Sequence, residues 1–216
     1  EPDIIAVNGN HSFNLLKTNP NYKKLKLNNV EALRYANLQK IKPIIKTNRK
    51  IPNVVIVADV VAYETINMLD LIKKVSERYE LNINYIFKPH PGSTVNINKY
   101  RNLNIEVTDK KIIDILKDTD IAFTSSMTSG AVEFYLAGIK VISLITMKNV
   151  NFSPLRDYKN VSFIRNSKDY VDAINNHNPK LMKPVSVNNF FNFDTNLNRW
   201  DKLIKKYIDW SLTYNI

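Results

Sequence analysis

Short runs of β-branched and other apolar residues recur along the chain with longer segments of helical spacing between them, and this alternation predicts βαβ units built on a parallel sheet. Strands are expected near Ile4 to Val7, Val54 to Ala58, Asn84 to Lys88, Ile105 to Val107, Ile121 to Thr124, Val141 to Leu144 and Ser162 to Ile164. Helices fill most of the gaps. Between Tyr63 and Tyr79, Ile66, Leu69, Ile72 and Val75 stand at three-residue steps, which predicts a helix with these residues on one buried face. Asp109 is placed to cap a short helix carrying Ile112, Ile113 and Leu116, and Ser167 to cap one carrying Tyr170, Val171 and Ile174.

The two ends of the chain are less regular. Residues 1–53, with Asn19-Pro20, Ile51-Pro52 and a charged middle, read as an N-terminal arm and connector; residues 54–177 read as one Rossmann-like domain; residues 178–216 read as a surface wrap closed by a last helix. That helix sets Trp200, Leu203, Ile204, Tyr207 and Ile208 on one stripe, so it must dock, and docking within the chain is expected ahead of membrane contact. Glu1 is not an initiator methionine and Ile4-Ile5-Ala6-Val7 follows almost at once, so the sequence reads as the C-terminal portion of a longer protein. The expected fold is α/β: a three-layer parallel sheet with helices on both faces, plus the arm and the amphipathic C-terminal helix.

Composition narrows the chemistry. There are no cysteines, which removes disulfides, thiolate metal sites and cysteine nucleophiles, and fits a cytoplasmic setting. No stretch of about 18 apolar residues occurs, so no membrane-spanning helix is expected. The net charge is +11, yet lysine is spread along the chain and is not clustered with aromatics, so a nucleic-acid partner is not expected. Lys23, Lys24 and Lys26, with Lys202, Lys205 and Lys206, form patches suited to peripheral contact with an anionic membrane face.

The densest chemistry lies between Ile121 and Ile142, where an apolar run ends in Thr124, Ser125, Ser126, Thr128 and Ser129 and passes through Gly130 into a helical segment. One hydroxyl suffices to cap a helix; five offer an anion site at the carboxyl end of a parallel strand, where ligands of open α/β sheets bind. Glu133, one turn further, suits the vicinal hydroxyls of a ribose or is a solvated helix-face acid. Gly138 is placed as an ordinary C-terminal cap.

Lys88-Pro89-His90-Pro91-Gly92 follows another strand. Two prolines stiffen the loop and hold His90 rigidly at a strand's carboxyl end, so the segment is either a stiff turn or a recognition element for phosphate, in which histidine can serve as neutral donor or as imidazolium. Asp59 closes a third strand and can reach the same crevice. Neither a G-x-G-x-x-G nor a Walker sequence is present, and His11 and His177 have no metal-ligand spacing, so no metal or other cofactor is expected.

Taken together, Lys88-Pro89-His90-Pro91, then Ser125 and Ser126, with Ser129, Glu133, Gly138 and Val141-Ile142, resemble the C-terminal, nucleotide-sugar-binding half of GT-B glycosyltransferases. The resemblance is greatest to bacterial sialyltransferase-like enzymes and others whose donors carry CMP or CDP. The run Ile112 to Ile121 is similar to that family's helix and acidic turn; Lys140 departs from it, where many members have proline. Ala6-Val7-Asn8-Gly9 and Val30-Glu31-Ala32-Leu33-Arg34-Tyr35 resemble segments of surface-carbohydrate biosynthesis proteins.

By that resemblance His90, Ser125 and Ser126 hold the donor phosphate and Glu133 holds or adjoins the ribose; the residues' own positions add Lys88, Thr124, Thr128, Ser129, Gly130 and Asp59 to the expected site, with His90 stabilising the leaving group. The implied activity is bacterial surface-polysaccharide synthesis, cytoplasmic and peripheral at the inner membrane face, with a nucleotide-sugar donor, a glycan or lipid-linked acceptor, and a catalytic base on a missing N-terminal Rossmann-like domain. A UDP-sugar 2-epimerase of the same fold and a non-catalytic glycan- or protein-binding module are the competing expectations.

Overall fold

In the computed structural model, residues 2–40, 49–146, 150–178, 185–186, 188 and 190–213 are described. In chain order the elements are β1 (Ile4–Val7), α1 (Asn10–Thr18), β2 (Lys26–Asn29), β3 (Asn53–Val57), α2 (Ala62–Ser76), β4 (Asn84–Lys88), β5 (Ile105–Val107), α3 (Ile112–Ile115), β6 (Ile121–Ser125), α4 (Gly130–Leu136), β7 (Lys140–Leu144), β8 (Val161–Ile164), α5 (Ser167–Asn175) and α6 (Asn198–Thr213). The chain divides into two compact units, one formed by Ile41–Val185 and the other by Glu1–Lys40 together with Ser186–Ile216.

The larger unit is a parallel six-stranded sheet in the order β5-β4-β3-β6-β7-β8. Its inner strands explain why their sequences are continuous apolar runs. Val54 to Val57, Ile121 to Ser125 and Val141 to Leu144 are buried at every position, because helices cover both faces of a parallel sheet. β5 at one edge carries Glu106 and Val107 exposed. From β3 the chain steps toward β4 and β5, and from β6 toward β7 and β8. Right-handed crossovers running in these opposite directions put α2 and α4 on opposite faces; α2 packs with α5, and α3 with α4. The core on the α2–α5 face centres on Met68, Leu69, Ile72, Phe123 and Tyr170, with the Phe123 and Tyr170 rings edge to face at 4.9 Å.

Local details correct the sequence-based picture. Along α2, Thr65, Met68, Leu69, Ile72 and Val75 are buried, whereas Ile66 is 38% exposed. Three-residue steps fall behind a 3.6-residue turn by about 60° each, so Ile66 ends on the side opposite Val75. Asp109 caps nothing: α3 follows Lys111 without a side-chain cap. The cap of α5 is Asn166 and not Ser167; its Oδ1 accepts Asp169 N–H at 2.9 Å while Asp169 Oδ2 accepts from Asn166 Nδ2 and Arg165 N. Gly138 does end α4. At φ 76° it lets its own N–H reach Tyr135 O and that of Ile139 reach Phe134 O.

The smaller unit contains a parallel pair, β1 with β2, the latter unforeseen because Lys26-Leu27-Asn28-Asn29 has no β-branched residue. Gly9 precedes α1, and a Cβ there would stand 1.9 Å from the carbonyl oxygen of Phe190. On α6, Trp200 and Leu203 are half-buried, while Ile204 and Tyr207 of the expected stripe are exposed. The side chains of Arg34 and Ile208 lie outside the described residues.

Candidate functional site

The order of the six strands reverses between β3 and β6, which are hydrogen-bonded neighbours. Their diverging connections open a crevice at the carboxyl ends, the place where open α/β sheets bind ligands. The loops after β3, β4 and β6 meet this edge and carry the residues singled out from the sequence.

Asp59 and Ser125 are brought together there, both buried at 1% exposure. The hydroxyl of Ser125 donates to Asp59 Oδ2 in a short hydrogen bond, and its oxygen accepts Met127 N–H at 3.1 Å. Asp59 Oδ1 accepts Val61 N–H at 2.8 Å, and Asp59 N–H donates to Thr65 Oγ1 at 2.8 Å. The two loops are thereby tied to each other and to the start of α2. A buried carboxylate requires such partners, since desolvation without them costs several kcal/mol (about 2–7 even for a neutral polar group). Thr124 and Ser126 are buried as well; Thr124 Oγ1 has no hydrogen-bond partner among the described residues, and Ser126 N–H donates to Leu144 O. Ser143 Oγ donates to Ser125 O at 3.1 Å and braces the same turn from β7.

The accessible hydroxyls are the next two. Thr128 and Ser129 are half-buried, and neither side chain makes a hydrogen bond among the described residues; Ser129 leads into α4 without capping it. Glu133 is half-buried in the first turn of α4 and is engaged by a neighbour. Gly130 makes room for packing: a Cβ there would meet Ile112 Cδ1 at 3.0 Å and Val57 Cγ1 at 3.5 Å.

Across β3, the loop after β4 is a tight turn in which His90 O accepts Ser93 N–H at 3.1 Å. His90 Nδ1 accepts Gly92 N–H at 3.0 Å. In neutral imidazole this fixes the proton on Nε2, which makes no hydrogen bond among the described residues and is a ready donor on a half-buried ring. Lys88 Nζ is turned back onto Pro89 O at 3.2 Å, and Lys88 O accepts Ala58 N–H, which ties this loop to the exit of β3. No group of His, Cys, Asp and Glu suited to a metal ion occurs among the described residues.

Sequence reasoning missed the Asp59–Ser125 bond and the roles of Thr65 and Gly92. A signal was present: Asp59, Thr65 and Gly92 each stand within eight residues of a strand's carboxyl end. At the opposite edge, the acidic turn before β6 has a structural role. Asp120 accepts Asn53 N–H at 2.9 Å and pairs with Arg49 at 3.2 Å, and Arg49 also reaches Asp118.

No protein-family model and no curated protein matches the chain. Solved structures do. The chain is similar to a glycosyltransferase from Rickettsia africae ESF-5, with a TM-score of 0.56 and 13% identity, covering 99% of this chain and 64% of that one. It is also similar to a structure of accessory secretory proteins 1, 2 and 3 of Streptococcus pneumoniae, with a TM-score of 0.51 and 14% identity, covering 96% of this chain and 39% of that one. A UDP-GlcNAc 2-epimerase from Methanocaldococcus jannaschii aligns at a TM-score of only 0.42. The chain therefore spans less than two thirds of the first two chains it matches, and its fold is that of a Rossmann-like GT-B half.

Proposed function

We propose that this chain is the donor-binding half of a glycosyltransferase and that it holds a nucleotide-activated sugar, CMP- or CDP-linked, in the crevice between β3 and β6. The observation that carries this reading is the convergence on one sheet edge of a tautomer-fixed His90, the uncommitted hydroxyls of Thr128 and Ser129, and two loops locked by Asp59 and Ser125. His90 Nε2–H and the two hydroxyls donate to the phosphate; Glu133 lies one turn further along α4, where a ribose would follow. Ser125 acts through Asp59, by holding its loop.

In the reaction, an acceptor hydroxyl forms a bond to the anomeric carbon as the bond from that carbon to the phosphate oxygen breaks. The electron pair leaves on the phosphate, whose charge is stabilised by donors already in place. The hydroxyl proton goes to a base supplied by a preceding domain of the same protein. Synthesis of a surface polysaccharide at the inner membrane face is the setting this reading implies.

Calorimetric titration with CMP, CDP, UDP and GDP tests it. CMP or CDP should bind most tightly, and His90→Ala should weaken that binding about tenfold, the loss of roughly one charge-assisted hydrogen bond, with the unfolding midpoint unchanged. Preferred UDP binding would sink the cytidine assignment and favour an epimerase-like enzyme; failure of every nucleotide with the fold intact would favour a non-catalytic module.

A further inference from the structure

A second concavity lies on the α2–α5 face at the carboxyl ends of β7 and β8. Its volume is about 420 Å3, inside the usual range for small-molecule sites. One wall is α2, through Asn67, Asp70 and Lys74; the facing wall is Thr146 beyond β7 and Arg165 and Ser167 at the β8–α5 turn. Leu71 and Leu144 form an apolar floor, and the exposed Tyr63 ring stands at the rim. None of these residues belongs to the nucleotide reading.

The lining is notable for what it leaves unmatched. Asn67 Nδ2 and Thr146 Oγ1 are buried atoms with no hydrogen-bond partner among the described residues. Lys74 and Arg165 make no side-chain hydrogen bond or ion pair among the described residues, although Lys74 is four residues from Asp70 on the same helix. Asp70 instead accepts the Tyr100 hydroxyl at 2.8 Å, which orients its carboxylate and leaves the second oxygen open. Buried polar groups are ordinarily satisfied, and the exposed Lys74 and Arg165 bring two positive charges to a concavity that they share with the Asp70 carboxylate. A ligand that satisfies this lining carries an acid for Lys74 and Arg165, and hydroxyls for Asp70, Asn67 and Thr146. It also carries a C–H face for Tyr63 and the leucines.

We propose that this cavity binds an anionic sugar, a monosaccharide-sized polyol bearing a phosphate or a carboxylate. The acid lies between Lys74 and Arg165, and the ring hydroxyls meet Asp70, Asn67 and Thr146. Small rotations of the Asn67 amide and the Thr146 hydroxyl complete the contacts.

Calorimetric titration of the whole chain with glucose 6-phosphate, glucuronate, glucose and inorganic phosphate tests the proposal. At least one of the two acidic sugars should bind at least tenfold more tightly than both glucose and inorganic phosphate, and the binding should weaken at least tenfold in Lys74→Ala and in Arg165→Ala. Both side chains are on the surface, so both variants should keep the parent's circular dichroism, and Lys73→Ala, on the neighbouring turn position, should bind as the parent does. Equal binding of glucose and the acidic sugars would overturn the proposal, as would phosphate binding as tightly as its sugar ester, or affinity indifferent to both substitutions. The result is independent of whether CMP binds at the β3–β6 crevice.

Discussion

The side chain of Ser125 donates its hydroxyl to the carboxylate of Asp59, and this bond joins the exits of the two strands between which the sheet order reverses. Both residues are buried, so neither can exchange its partner for water. Ser125→Ala strips the carboxylate of a hydroxyl donor and should cost about 1.5–3 kcal/mol, the range for hydrogen bonds to charged groups. Asp59→Ala should cost a similar amount, because it orphans Val61 N–H as well. A double-mutant cycle read by urea unfolding should show coupling of roughly 0.5–3 kcal/mol. Strict additivity would mean that the two loops are held by something else.

Much of the larger unit could be read from the chain because a parallel sheet writes itself as contiguous β-branched runs. Val54 to Val57 and Ile121 to Phe123 leave little room for another assignment, being too short for helices and apolar at every position. β2 could not be read that way. Its residues pair with β1 through the backbone, which Lys26-Leu27-Asn28-Asn29 does not advertise. The candidate site was legible as a set of residue types at strand ends and no further. The hydroxyls of Thr124 to Ser129 look equivalent in sequence, yet the pleat and the turn bury the first three and present Thr128 and Ser129. The same holds for the N-terminal segments: Gly9 is needed because the Phe190 carbonyl occupies the space of its Cβ, a contact some 180 residues away in sequence.

Three tyrosines of the larger unit make stability sensitive to alkali. Burial pushes the Tyr85 phenol up to about 12, and burial, with the hydrogen bond and charge of Asp70, pushes Tyr100 to about 12; Tyr170 is raised well above the ordinary value by burial. A raised folded pKa means that the unfolded chain releases its proton first, so this contribution is intact below about pH 10 and is lost as pH rises toward 12. Lys140, whose pKa burial lowers, acts in the opposite direction. The urea midpoint should fall between pH 9 and pH 11.5. In Tyr100→Phe, which has no phenol to ionise there, the fall should be smaller; a fall of the same size would acquit Tyr100.

The smaller unit depends on a carboxylate far from the helix it caps. Glu31 is 2% exposed, and its two oxygens accept the backbone N–H groups of Arg199 at 3.0 Å and Trp200 at 3.1 Å, while its carbonyl accepts Trp200 Nε1–H at 2.8 Å. An acid at a helix N-terminus satisfies N–H groups that have no partner within the helix and meets the positive end of its dipole. Glu31 therefore fixes the start of α6 from a position 168 residues earlier in the chain. Glu31→Ala should destabilise this unit by about 1–3 kcal/mol, because two N–H donors lose their acceptors. Glu31→Gln, which keeps one acceptor oxygen, should fall between Ala and the parent. Amide hydrogen exchange separates this from a general loss of packing: Arg199 and Trp200 should lose protection in Glu31→Ala before the interior of β1 does, and simultaneous loss at both places would show that Glu31 acts on the unit as a whole.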